Sequence, residues 1–243
     1  MVEYFRPNFF ANTPDILHAY LQKGGKPAFA IRLILAATMS PLYGIYSGYE
    51  FYENQPMHEG SEEYLDSEKY EIKQRPNDMP GSLRPLIKLL NQTRRTHPAL
   101  QQLKNIHFHT IPNQNILCFS KNTDDFGDRL ICVINLDPLR VQEGIIELDL
   151  AELGLDADQT YFVHDLLTNQ TWNWKGPKNY VRLDPQIAPA HLFVVRVPIF
   201  KDTGKVDLDP ETDSVTVKLD SPSTVDTAVE MPTLKRSAAE KVG

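Results

Sequence analysis

The first residues in this sequence that could do chemistry lie in the stretch NFFANTPDIL, which contains the carboxylate Asp15. Read locally, this stretch predicts the start of a helix. Thr13 can act as an N-cap residue by accepting a hydrogen bond from a free backbone N–H, and Pro14 suits the first helical position. An acidic side chain in the first turn is favoured by the helix dipole. The alternative is that Asp15 is a carboxylate at the mouth of an active site, and local sequence alone favours the helix start.

A second chemistry-bearing stretch is LDSEKY, which ends with Lys69 and Tyr70. It lies in a long polar segment, residues 52–82, with little apolar periodicity. A segment of this length between regular elements is usually functional or disordered. On its own, Lys69 is best interpreted as a solvated charge in a mobile loop.

Two further pairs of side chains have chemical potential but also ordinary structural explanations. His107 and His109 alternate along one predicted strand, but no third ligand follows at a spacing suited to a metal site. Trp172 and Trp174 share a strand face and could stack on a sugar. Packing in a core is the commoner role for such a pair, so neither pair predicts a site.

The composition indicates a globular protein, and it excludes some classes of partner. The chain has 243 residues, 41% hydrophobic, with a net charge of −7. An acidic balance argues against a nucleic-acid surface. No N-terminal signal and no membrane-length apolar run are visible. Cys118 and Cys132 each lie in an apolar strand-like run, which favours buried free thiols and a cytoplasmic setting, although a disulfide between adjacent strands stays open.

Residues 1–100 read as alternating strands and helices. A strand in VEYFRPNFF precedes a helix in PDILHAYLQKG that Gly24 and Gly25 end, and a deeply packed helix, PAFAIRLILAATM, follows. A buried strand, PLYGIYSGYEF, and an amphipathic helix ending near His97 complete this part. Two such units cannot close a sheet, and a complete (β/α)8 barrel takes about 250 residues. We therefore predict an α/β portion, the last quarter of a barrel (strands 7 and 8 with their helices), whose helix PAFAIRLILAATM and strand LYGIYSGYEF expose apolar faces.

The remaining sequence changes its periodicity. Eight short alternating runs between residues 101 and 198 predict an all-β module, an antiparallel β-sandwich. Residues 199–243 have no aromatic side chain after Phe200 and are rich in Ser, Thr, Asp, Lys and Pro, which predicts a disordered tail. The fold class is therefore α/β followed by all-β.

Several motifs together resemble a known family. IYSGYE is similar to the eighth-strand segment of α-amylase-superfamily barrels (glycoside hydrolase family 13), and LIKLLNQTRRTHPAL resembles the helix that follows it. FFANTPD occupies the place of the seventh-strand segment, which ends in a catalytic aspartate. Most amylases have a histidine before that aspartate, and here it is Pro14. This departure, with RPNFFANTPDI and EEYLDSEKYEI, closely resembles one subfamily over residues 1–198, the bacterial α-1,4-glucan:maltose-1-phosphate maltosyltransferases.

The resemblance implies a retaining mechanism with a carboxylate nucleophile and a carboxylic acid. Both come from the fourth and fifth strands in this family and have no counterpart in this sequence. Asp15 maps to the third carboxylate, which bonds sugar hydroxyls and stabilises the transition state. Lys69 is similar to the lysine that holds the non-reducing sugar, since a long ammonium donor can reach two hydroxyls. Asn12 and Tyr70 are implied as further substrate contacts.

The same resemblance implies supporting residues and partners. Asp66 and Glu68 are implied as partners of the lysine, and Tyr46 and Glu50 as braces at the base of the site. The intact enzyme would transfer maltosyl units from maltose 1-phosphate to an α-1,4-glucan as a cytoplasmic homodimer, with no metal or organic cofactor. The chain alone would be inactive. Two alternatives stay open: a non-catalytic glucan-binding or structural sandwich, and one half of a split enzyme.

Overall fold

The computed structural model describes residues 4–76, 79–200 and 206–207. The chain divides into two compact units, Met1–Pro198 and Ile199–Gly243. In the first unit, the N-terminal elements are β1 (Asn8–Phe10), α1 (Ala19–Met39), β2 (Leu42–Gly44), a 3-10 helix (Tyr49–Phe51), α2 (Arg84–Thr96) and a second 3-10 helix (Pro98–Gln101). Strands β1 and β2 pair in parallel, with Phe9 opposite Tyr43. Their carboxyl ends therefore lie at the same edge of this small sheet.

The helix predicted to begin at Thr13 does not begin there. Thr13 and Ile16 exchange backbone hydrogen bonds of 3.4 and 3.2 Å, which close a turn with Asp15 at its tip. Thr13 does not serve as the N-cap residue, because no helix starts beside it. Helix α1 begins at Ala19, and the cap is His18, whose Nδ1 accepts a bond of 3.1 Å from the N–H of Tyr20.

The predicted break at the glycine pair is confirmed, but the predicted exposure of the following helix is wrong. Gly25 has φ 63° and ψ −161°, a conformation that interrupts the helical backbone within α1. The rest of α1 is buried by α2 and by one face of the following sheet, including its apolar side chains Ala28, Phe29, Ile31, Leu33 and Ile34. The predicted strand PLYGIYSGYEF is also shorter than expected, since only Leu42–Gly44 is extended; Leu42 keeps 53% of its surface exposed.

All eight strands predicted between residues 101 and 198 are present. They are β3 (Ile106–Phe108), β4 (Ile116–Asn122), β5 (Arg129–Asn135), β6 (Gln142–Glu147), β7 (Thr160–Asp165), β8 (Gln170–Lys175), β9 (Lys178–Leu183) and β10 (Ala190–Arg196). Six form an antiparallel sheet in the order β3-β4-β5-β10-β7-β8, and β6 pairs antiparallel with β9. Alternate residues of β5 belong to two cores: Leu130 and Cys132 pack with α1, whereas Ile131 and Val133 pack with residues of β6 and β9.

The two cysteines are buried free thiols, as predicted. Cys118 lies opposite Val133 and Cys132 lies opposite Phe119, on adjacent strands of the sheet. The thiols belong to different cores, so they face away from each other across the sheet. Burial raises the pKa of both thiols, that of Cys132 to about 12, which keeps it protonated and unreactive at neutral pH.

The two tryptophans pack in the core, which favours the structural explanation over a sugar-stacking platform. Trp174 is 8% exposed, and its ring lies edge-on to Tyr161 and Phe193, with centroids 6.2 and 5.0 Å away. Trp172 is partly buried against the same core and lies edge-on to Phe193 at 5.7 Å. A stacking platform requires an open indole face, and Trp174 does not offer one.

The tail prediction falls almost entirely outside the described residues. In the second unit, β11 (Ile199–Phe200) pairs antiparallel with β12 (Val206–Asp207). Among the residues that the structure describes, no helix combines the length and apolar character needed to cross a membrane.

His109 is a buried histidine whose two ring nitrogens both have hydrogen-bond partners, and its lowered pKa makes the stability of the fold depend on pH. Its Nδ1 accepts a 3.1 Å bond from the N–H of Asp149, and its Nε2 lies 2.9 Å from the hydroxyl of Ser120. Protonation would place an N–H against the N–H of Asp149. Burial, assisted by the nearby His107, lowers the pKa of His109 from 6.5 to about 4. No group of three metal-ligating side chains occurs within the described ranges.

We expect this histidine to destabilise the fold in mild acid. Its pKa is lower in the folded than in the unfolded chain, so its contribution is complete above the unfolded value of 6.5 and decreases as the pH falls towards 4. Between about pH 7 and pH 5, the expected loss is about 2 kcal/mol in the free energy of unfolding. Urea titrations at both pH values should therefore give a larger pH effect in the wild type than in His109→Asn. The control is His58→Asn, an exposed histidine of the polar loop; an equal pH effect in all three proteins would contradict the prediction.

Candidate active site

The base of the candidate site is built at the carboxyl ends of β1 and β2. Asn12 follows β1 and is 3% exposed. Its Nδ2 donates a 2.6 Å bond to the hydroxyl of Tyr64, and its Oδ1 accepts a 2.8 Å bond from the N–H of Tyr46, which follows β2. The Tyr46 and Tyr64 rings also pack against each other with centroids 5.4 Å apart. Asn12 therefore links β1, the segment after β2 and the polar loop in one hydrogen-bonded unit.

Tyr64 is a neutral phenol within this hydrogen-bonded unit. Burial raises its pKa to about 12, although the hydrogen bond from Asn12 opposes the shift. Tyr46 has a further partner, since its hydroxyl accepts a 2.8 Å bond from the N–H of Glu68. The bracing role predicted for Tyr46 is therefore visible in these contacts. Glu50 contributes more locally: its Oε2 accepts a 3.1 Å bond from the N–H of Gly48, and its carbonyl accepts one from Leu83.

In the candidate site, Lys69 lies between two carboxylates. Its ammonium contacts Asp15 Oδ1 and lies 2.5 Å from Glu63 Oε1. The side chains remain accessible, with 33% of Lys69, 64% of Asp15 and 30% of Glu63 exposed. The hydrogen bond to Asp15, followed by the one to Glu63, raises the pKa of Lys69 well above its usual value. The site therefore presents a permanently charged donor between two acceptors at an open surface.

This arrangement suits polyhydroxyl ligands. Each hydroxyl group both donates and accepts, and here a three-donor ammonium stands beside carboxylates that only accept. Tyr70 adds an aromatic ring that is 72% exposed, with its centroid 5.2 Å from the Lys69 ammonium. A nearby exposed ring offers an apolar face to the C–H surface of a sugar. Of the four predicted site residues, the structure brings Asp15, Lys69 and Tyr70 together. Asn12 is instead buried and bonded to Tyr46 and Tyr64.

The supporting carboxylate of Lys69 is Glu63, which sequence reasoning missed, rather than Glu68 or Asp66. Glu68 Oε1 accepts a 2.8 Å bond from Arg75 instead. Asp66 is exposed at a positive φ of 50°. Glu63 lies within the polar run EEYLDSEKY, where neither periodicity nor spacing distinguishes one carboxylate from another. Only the folded loop shows which of them reaches the ammonium.

Comparison with solved structures defines the general class of fold. An Anoxybacillus α-amylase superposes with a TM-score of 0.56 at 16% identity, over 79% of this chain and 38% of that protein. An α-amylase from Geobacillus thermoleovorans, solved with acarbose, gives 0.52 at 12% identity, over 77% of this chain and 37% of that protein. The fold of this chain is therefore that of part of an α-amylase.

Sequence comparison finds more similar relatives. The family model "GLGE, C-terminal" matches residues 108–195. The relative named α-1,4-glucan:maltose-1-phosphate maltosyltransferase 2, from Streptomyces coelicolor, is 55% identical over 201 residues, which is 80% of this chain and 29% of the relative. The enzyme of that name from Corynebacterium glutamicum is 51% identical over the same shares. The Mycobacterium tuberculosis one is 48% identical, over 79% of this chain and 28% of the relative.

The chain is thus a homologue of the α-1,4-glucan:maltose-1-phosphate maltosyltransferases, and the resemblance inferred from its motifs is confirmed. It spans less than a third of the length of these relatives.

Proposed function

We propose that this chain forms the C-terminal part of a retaining maltosyltransferase, which transfers maltosyl units from maltose 1-phosphate to the non-reducing ends of α-1,4-glucans. In this proposal, β1 and β2 are the last two strands of a (β/α)8 barrel, and β3–β10 form the β-sandwich that follows it. The domain boundaries are residues 1–100, 101–198 and a tail of 199–243.

The observation that carries the proposal is the meeting of Asp15 and Lys69. They are 54 positions apart, and each lies in a motif of the maltosyltransferases, yet the fold brings the ammonium onto the carboxylate. Both follow carboxyl ends of parallel strands, the edge at which barrel enzymes place their chemistry. A random pair of loop charges would have no reason to converge there.

The role of each residue follows from its chemistry. Asp15 accepts bonds from sugar hydroxyls beside the reacting carbon, and its negative charge stabilises the positive charge that develops on the sugar ring in the transition state. Lys69 donates to hydroxyls of the non-reducing sugar, and Tyr70 covers its apolar face. Because the Asn12 amide is buried and bonded to two tyrosine residues, we propose that it supports the binding surface rather than contacting the sugar directly.

The nucleophile and the general acid would come from a segment outside this sequence, either in the same polypeptide or in another chain. The chain alone would then release no phosphate from maltose 1-phosphate. The proposal also includes a cytoplasmic location and a homodimeric intact enzyme. The reaction would use carboxylate side chains, with no metal or organic cofactor.

A hybrid enzyme tests the proposed function. The region of the Streptomyces coelicolor maltosyltransferase 2 that this chain matches would be replaced by this chain, and inorganic phosphate release would be measured with maltose 1-phosphate and a maltooligosaccharide acceptor. We expect phosphate release from the hybrid and none from the isolated chain. A folded but inactive hybrid would argue against the proposed function, and activity of the isolated chain would refute the assignment of the missing carboxylates.

A further inference from the structure

The long polar loop is held by an internal clamp of three charged residues, which we define as Glu53, Arg75 and Glu68. Arg75 donates to both carboxylate oxygens of Glu53, at 2.6 and 3.0 Å, and its Nη1 lies 2.8 Å from Glu68 Oε1. The Arg75 side chain is only 13% exposed. A planar guanidinium that forks onto one carboxylate and reaches a second one fixes the geometry far better than a single surface ion pair does.

The clamp is also built into the backbone beneath it. Gly48 has φ 93°, and a Cβ at that position would collide with the Glu53 carboxylate and crowd Arg75. Arg75 reaches the Ser47 hydroxyl at 3.3 Å as well. The hydrogen bonds from Arg75 overcome the effect of burial and lower the pKa of Glu53, with a smaller contribution from Lys73 at 3.7 Å. The Glu53 carboxylate thus stays charged to lower pH than an isolated glutamate would.

The consequence is felt at Lys69, the residue directly after Glu68. The N–H of Glu68 is bonded to Tyr46, and its carboxylate is bonded to Arg75, so this residue is held from both ends. The preceding Ser67 is 1% exposed. The Lys69 ammonium contacts Asp15 and Glu63, and the Lys69 N–H donates to the Ser67 hydroxyl at 3.4 Å. The backbone of Lys69 is therefore positioned by the turn at Ser67 and by the clamp that holds Glu68, the residue before it.

We propose that Arg75 is a positioning residue, which preorganises the loop so that Lys69 stands over Asp15 before any sugar binds. The inference rests on the proposed function for its catalytic meaning, but the preorganisation is a property of this chain. Holding a donor in place beforehand lowers the entropy lost when a ligand is bound. Arg75 touches neither Lys69 nor Asp15 through any contact described above, so it acts through Glu68.

The test uses the full chain and needs no catalysis. Protein labelled with ¹³C-lysine would be titrated by NMR, and the Lys69 signal would be assigned with a Lys69→Arg variant. In the wild type we expect the Lys69 Cε signal to stay in the charged form to higher pH than an ordinary lysine, because the hydrogen bonds to Asp15 and Glu63 raise its pKa. In Arg75→Met it should titrate like an exposed lysine, and hydrogen exchange across residues 61–73 should rise on the order of tenfold.

Two variants keep the test decisive. Arg75→Lys keeps the charge but loses the fork, so it should restore the Lys69 signal only in part. Arg182→Met removes an exposed guanidinium on β9, whose Nε lies 3.8 Å from Oε2 of Glu143 on β6. This variant should change nothing in the polar loop. A folded Arg75→Met protein with an unchanged Lys69 titration would overturn the proposal. If Arg75→Met unfolds, Glu68→Gln replaces it, and unfolding of both would equally overturn it, because the clamp would then support the whole fold.

Because these measurements detect loop geometry, they can succeed or fail independently of the hybrid enzyme. An inactive hybrid with a normal Arg75 effect would refute the proposed function and leave the clamp intact. An active hybrid with no Arg75 effect would support the proposed function and overturn the positioning role of Arg75.

Discussion

Replacing Asp15 by asparagine in the hybrid enzyme is expected to lower the rate of phosphate release by about 10²–10³-fold, because removing one preorganised electrostatic group costs about 3–4 kcal/mol of barrier. The change keeps the shape of the side chain and removes its charge. Because Asp15 lies at the tip of a turn that is closed by backbone bonds of Thr13 and Ile16, the turn itself should survive. Phosphate release at saturating and limiting maltose 1-phosphate would separate kcat from KM.

The matched control is Asp66→Asn in the same hybrid. Asp66 is another exposed carboxylate of the neighbouring loop, and asparagine tolerates its positive φ of 50°. We expect less than about a twofold change in rate, since an exposed surface charge that makes no described contact with Lys69 contributes little. If both variants lost activity equally, general loop charge would explain the effect. An unchanged rate in Asp15→Asn would remove Asp15 from the catalytic set.

Much of the fold could be predicted because its signals are local. The strands between residues 106 and 196 are short apolar or alternating runs, and the break at Gly25 needs only the freedom of glycine. The start of α1 could not be predicted in the same way. A helix start and a tight turn are equally compatible with the residue types of Thr13, Pro14 and Asp15. The two backbone hydrogen bonds between Thr13 and Ile16 form the turn instead of the helix.

The candidate site shows the same division. Asp15 and Lys69 could be proposed as site residues because each lies in a distinctive motif, whereas Glu63 and Arg75 lie in an aperiodic polar loop with several charged residues. Their roles depend on which partners the folded loop brings within reach, at 2.5 Å for Glu63 and 2.6 Å for Arg75. Such contacts are tertiary, so no local pattern could have ranked these residues above Glu68 or Asp66.

Replacing Arg94 by methionine is expected to lower the free energy of unfolding by about 3 kcal/mol, because three backbone carbonyls would lose their donor. The Arg94 guanidinium, on α2, reaches back to the end of α1. It donates to the carbonyls of Ala37, Ser40 and Pro41, the last two at 2.9 and 2.6 Å. It also lies 4.9 Å from the centroid of the Tyr43 ring in β2. One side chain thus joins both helices to the strand that leads into the site.

The neighbouring Arg95 provides the control, since it is exposed on the same turn of α2. Arg95→Met should change stability by less than about 0.5 kcal/mol, as is usual for surface substitutions. Urea unfolding of the two variants and the wild type, with equal m-values, would isolate the difference in stability. Equal stability of Arg94→Met and Arg95→Met would mean that water replaces the guanidinium at the end of α1. A large loss confined to Arg94→Met would establish that the packing of α1, α2 and β2 beneath the site depends on this one cation.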